Sequence, residues 1–110
     1  MPIFKSKPLK KTVNGQEVIV SDSVVVTNDF YETSGEYVVV VKEVELCNIF
    51  LNSENTEHVV IKAMTNVNVT SNTLIDEEFD EVELNKGACV EFRKIGDFWY
   101  ILSSDGMKNS

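Results

Sequence analysis

The sequence predicts an all-β chain: an antiparallel β-sandwich or jelly-roll-like barrel with an N-terminal extension. Three observations carry this. β-Branched and aromatic residues gather in short runs, many of them alternating with polar ones. Clusters of Gly, Asn, Asp and Ser separate those runs at roughly 8 to 12 residue intervals. No run holds a sustained, capped helical period.

The first 11 residues hold Lys5, Lys7, Lys10 and Lys11 with no acid, and Pro2 and Pro8 favour extended backbone there. Asn14-Gly15 between Thr12-Val13 and Glu17-Val18-Ile19-Val20 predicts a hairpin, because both turn residues tolerate positive φ. Residues 24–27 form a short strand and residues 28–35 a connection closed by Gly35. The organisation predicted is an arm and hairpin over residues 1–35, used for anchoring or inter-subunit contact, and a β-sandwich body over residues 36–110.

Within the body, residues 36–42 are a nearly continuous valine strand, apolar on both faces, which suits a central strand or a subunit contact. Val44 and Leu46 lie on one parity and Cys47, Ile49 and Leu51 on the other, predicting a bulge or turn near Leu46. Val59, Ile61 and Ala63 share a face of the next strand, and Val67 and Val69 alternate with Asn66, Asn68 and Thr70 in the one after. Leu74, Ile75, Phe79 and Val82 could share a helical face, but strand neighbours and turn-rich flanks favour extended structure. The chain closes with a hairpin turning at Gly96-Asp97 and sealed by Phe98-Trp99-Tyr100.

A chain of 110 residues suits one domain and buries roughly two-thirds of its unfolded surface. No run approaches the roughly 20 apolar residues of a membrane helix, and no basic-then-apolar leader pattern opens the chain, so the expectation is a protein made in the cytoplasm without membrane insertion. Cys47 and Cys89 are too far apart for zinc or redox spacing and read as buried thiols. The net charge of −8 less the four positive charges of the arm leaves −12 on residues 12–110, a surface that repels nucleic acid. The basic arm can then dock on an acidic partner surface or a neighbouring copy.

From residue 36 to 104 the order of elements resembles the small β-domains of bacteriophage capsid decoration proteins, head fibres and tail-fibre tips. The resemblance runs through the apolar strand at residues 37–41, Ile49-Phe50-Leu51, Val59-Val60-Ile61-Lys62, Val67-Asn68-Val69, Ile75-Asp76, Lys86-Gly87-Ala88-Cys89-Val90 and Asp97-Phe98-Trp99-Tyr100-Ile101-Leu102. Asn52 stands where that family often has Pro, and Glu77-Glu78-Phe79-Asp80 where it has a glycine-rich turn. The resemblance implies a non-enzymatic virion structural protein, commonly a homotrimer, attached to major capsid or other virion proteins and needing no cofactor. It marks Val39, Val41, Ile61, Gly87, Trp99 and Tyr100 as core or interface positions; Lys5, Lys7, Lys10 and Lys11, the docking arm read from the charge distribution, lie outside the matched stretch in the part that would be adapted to the anchoring surface. The alternative is a receptor-binding fibre tip whose Phe30 or Tyr31 stacks on a host-surface glycan.

Other features are weighed against chemistry. Asp76, Glu77, Glu78, Asp80, Glu81 and Glu83 read as a solvated acidic face or repulsive edge, with calcium coordination or contact with the basic arm as alternatives. No EF-hand spacing is present. His58, the only histidine, lacks a matched nucleophile and reads as the surface start of a strand. Asp97 and Asp105 each stand beside Gly and read as turn residues. No catalytic or metal-binding residue is assigned.

Overall fold

The computed structural model describes the backbone of residues 9–13, 16–20 and 22–107 and the side chains of residues 22–104. Ten strands follow in order: β1 (Leu9–Val13), β2 (Gln16–Val20), β3 (Ser23–Val26), β4 (Phe30–Glu32), β5 (Val38–Val41), β6 (Leu46–Leu51), β7 (His58–Ala63), β8 (Asn66–Ile75), β9 (Phe79–Ile95) and β10 (Phe98–Met107). β1 and β2 make a two-stranded antiparallel sheet with Val13 opposite Gln16, the pairing that an Asn-Gly turn favours. Residues 14 and 15 themselves lie outside the described residues.

The other eight strands wind as a coil. β3, β5 and β7 stack in parallel, with Val24 beside Val39 and Val39 beside Ile61; we name this flank A. β4, β6 and β8 stack in parallel as flank B, with Tyr31 beside Ile49 and Ile49 beside Val69. Each coil gives one strand to each flank, and roughly 15 to 22 residues separate stacked positions. The last turn is built differently. β9 runs antiparallel along both flanks, placing Val82 beside Val69 and then Val90 beside Ile61, and β10 folds back on it.

The architecture is a mostly parallel β-solenoid of about four turns. This corrects the antiparallel sandwich or jelly-roll-like barrel expected from the sequence. Period-two alternation says which face of a strand is buried and nothing about which strand it pairs with, so short alternating strands suit both architectures. In this fold the crossover that parallel neighbours require is the opposite flank's strand with its two corners, in place of a helix.

Alternation now explains the core. Val39, Val41, Val59, Ile61, Ala63, Val90 and Phe92 turn inward from flank A, and Cys47, Ile49, Leu51, Val67, Val69, Val82 and Leu84 from flank B, all in one buried cluster. Burying each large aliphatic side chain contributes about 1.5 to 3 kcal/mol. The valine strand β5 is one-sided: Val39 and Val41 are buried, while Val38 and Val40 are half-buried on the outer face. The parity change near Leu46 is a turn over residues 43–45, with Glu43 at φ 63°, and β6 itself alternates without interruption. β4 lies inside the stretch expected to be a connection; three residues are enough because flank B's next coil supplies its hydrogen bonds.

Two buried threonines join the coils at one corner. Thr33 Oγ1 accepts the Asn52 N–H at 2.8 Å, and Thr56 Oγ1 accepts the Gly35 N–H at 2.9 Å. Gly35 sits at φ 103° with Asn55 O only 3.3 Å from where a Cβ would stand, so this corner requires glycine. At the far end Trp99 pairs with Ile75 and Lys94 and is fully buried.

Candidate functional site

The two flanks turn different chemistry outward. On flank A the outer residues of successive coils stand in columns: Val25 beside Val40 beside Lys62 beside Cys89, and Val38 beside Val60 beside Glu91. Val25 is 56% exposed, and Val38, Val40, Val60 and Cys89 are half-buried. Tyr37 packs edge-on against His58, ring centroids 4.9 Å apart, at the margin of this stripe. The cations here are Lys42, whose ammonium lies 4.0 Å from exposed Glu43, Lys62, which donates to Gly87 O at 3.1 Å, and Arg93.

Among the described side chains of the flank A strands, the outward acid is Glu91. His58 Nε2 donates to one carboxylate oxygen and Ser103 Oγ to the other, the latter at 3.1 Å. Those hydrogen bonds, His58's first, hold the Glu91 carboxyl below the usual carboxylate range. The order serine, carboxylate, imidazole leaves the imidazole bonded to the acid, away from the hydroxyl, so it is not placed to take a proton from Ser103. What the trio does is fasten β7, β9 and β10 together at the outer surface.

Flank B presents Phe30 and Glu32 on its first coil, then Leu46, Asn48 and Phe50, then Asn66, Asn68 and Thr70, and finally Glu81, Glu83 and Asn85 on β9. Phe30 is 56% and Leu46 41% exposed. Asn68 Nδ2 donates weakly to Asn48 Oδ1 at 3.4 Å, the start of an amide row. A shallow groove of about 220 Å³ runs between Leu46, Asn66, Asn68, Glu83 and Asn85. Lys86, exposed on β9, follows Asn85 at the corner where this flank ends.

The acidic run is divided between jobs. Asp76 and Glu77 hold φ 55° and 59° in the turn after β8. Asp76 Oδ1 accepts the Ile101 N–H at 3.0 Å, and Glu77 Oε2 accepts the Tyr100 hydroxyl at 2.7 Å, a bond that pushes the Tyr100 phenol up. Asp80, Glu81 and Glu83 lie outward on β9. No group of three or more His, Cys, Asp or Glu side chains converges as a metal site among the described residues.

Of the marked positions, Val39, Val41, Ile61 and Trp99 are fully buried, Tyr100 is half-buried, and Gly87 is exposed at φ 97°, where a non-glycine residue would be strained. Lys5 and Lys7 lie outside the described residues; Lys10 and Lys11 pair through their backbone with Ile19 and Val18, and their side chains lie outside as well. Tyr31 turns inward and packs against the core, its hydroxyl 3.4 Å from Ser34 Oγ, so a sugar-stacking role falls to Phe30 alone. Cys47 is buried and its thiol pushed up by that burial, whereas Cys89 is half-exposed on the outer face of flank A, not in the core as its sequence context suggested. The outer rows of flank B went unseen in the sequence, although Asn48 between Cys47 and Ile49 and Asn68 between Val67 and Val69 are their signal. Comparison with known proteins adds no relative: no family model matches the chain, and none of the curated proteins does.

Proposed function

We propose that this protein is a non-enzymatic structural component of a bacteriophage particle, a capsid decoration or head-fibre protein that works as a homotrimer attached to the particle. The observation that carries self-association is the outer stripe of flank A. Val25, Val38, Val40 and Val60 form a contiguous apolar patch on a rigid sheet, where soluble monomers place polar residues. The virion setting rests on the resemblance through residues 36–104, and attachment on the four lysines of the first 11 residues. A solenoid core packed with aliphatic and aromatic side chains suits a load-bearing knob.

Two measurements test this. Light scattering on the eluting protein should give a discrete oligomer, and a strict monomer at high concentration would overturn the reading. Removing residues 1–11 should leave the solenoid's melting transition in place while abolishing recovery on purified particles; undiminished occupancy would sink the docking arm.

A second reading, a glycan-binding tip, is favoured by Phe30 standing exposed beside Asn48 at the head of the amide row. Glycan-array binding that Phe30→Ala removes would shift the assignment to it.

A further inference from the structure

The two flanks are complementary in charge as well as apolar at their centres. Flank A carries Lys62 and Arg93 outward beside its valines, Lys42 at its margin is paired with Glu43, and the outward acid among its described strand side chains, Glu91, is held by His58 and Ser103. Flank B surrounds Phe30, Leu46 and Phe50 with Glu81 and with Glu32, which accepts from the Asn52 amide, and Lys86 stands exposed on β9 just after Asn85, at the corner where this flank ends. A chain whose net charge is −8 has gathered much of its described positive charge on one wall.

We propose that copies of this chain associate heterologously, flank A of one copy seated against flank B of the next. This rests on the self-association reading above and says which surfaces make the contact. An isologous pairing of flank A with itself would bring Lys62 and Arg93 of both copies into one interface, and flank B with itself would do the same with Glu32 and Glu81. Like charges so placed oppose association, while A against B places cations on acids around a shared apolar centre. Stable interfaces bury about 800 Å² per partner, roughly 20 to 30 residues a side, so a contact of that size centred on the four valines takes in the charged rim. Because the two surfaces differ, each copy keeps one of each unused after pairing, and the arrangement ends only when a ring closes.

Paired variants test the contact. Variant one carries Val25→Asp and Val40→Asp on flank A; variant two carries Phe30→Asp and Leu46→Asp on flank B. All four side chains face outward, and melting curves within a few degrees of the wild type confirm folding. The added charges share a sign, so two damaged flanks cannot compensate one another. Light scattering should find the wild type as a closed oligomer and each variant alone as a monomer. An equimolar mixture should form a two-chain complex and stop there, since one intact A and one intact B remain, and raising salt from 50 to 500 mM should weaken it. If variant two alone still dimerises, flank A pairs with itself and the proposal is wrong; if variant one alone does, flank B pairs with itself and it is equally wrong. Variants that both assemble like the wild type would place the contact elsewhere. A monomeric wild type would remove the self-association reading itself, a result separate from the other three.

Discussion

Trp99 closes the end of the core beside Ile75, fully buried, and among the described residues its Nε1 meets no acceptor. Trp99→Ala should cost about 3 to 5 kcal/mol, read as a loss of denaturation midpoint, because a void of that size at a closed end cannot collapse. Thr33 works through one bond: Thr33→Val keeps the shape but strands the Asn52 N–H, and should cost about 1 to 3 kcal/mol in denaturant unfolding. Glu43 is the opposite case. It holds a left-handed φ with only a long, exposed ion pair to Lys42 in return, so Glu43→Gly should raise stability by up to about 1 kcal/mol. Glu91 gives the pH signature. Its folded pKa is depressed by His58 and Ser103, so its contribution is present above the unfolded value of about 4.3 and is lost as pH falls through the folded one. The melting-temperature gap between wild type and Glu91→Gln should therefore be present at neutral pH and close on acidification below about pH 4.

At the scale of single strands the two thiols separate cleanly. Cys47 points inward from β6 and Cys89 outward from β9, so a thiol reagent should label Cys89 in the native protein and reach Cys47 only on unfolding. Most strands were legible because each carries its own alternation: His58–Ala63 buries Val59, Ile61 and Ala63 as the pattern implies. The terminal hairpin was legible from Gly96-Asp97, and the extended reading of residues 74–84 holds, since β8 ends at Ile75 and β9 starts at Phe79. Partner choice was not legible. Pairing of Val38 with Val60 and of Asn48 with Asn68 is written in no local residue; it emerges only when inward blocks from successive coils are laid over each other. β4 was hidden because Asp29, Thr33 and Ser34 around it look like a loop, and Glu43 because nothing in a glutamate announces positive φ. The outer flank chemistry escaped for the same reason as the fold, since columns of outward residues exist only once the coils are stacked.

For the whole molecule, stacked coils mean that each layer leans mainly on its neighbours, so stability is close to one-dimensional. β7, β8 and β9 have described partners on both sides, whereas β3 and β4 stand at the ends of the described sheet order. Amide hydrogen exchange should be slowest through Val59, Ile61, Val67 and Val69 and fastest in β3 and β4, with a graded rise between; uniform protection would show that the layers open together.

The reversed strand β9 also sets how such a body can vary in size. Running counter to every coil it meets, it ends the run of parallel stacking, and β10 folds back on it as the floor of the described sheet. Whole layers inserted before His58, in register with Val38 and Asn48, would lengthen the body with girth and floor unchanged, the height growing by about 4.8 Å per layer.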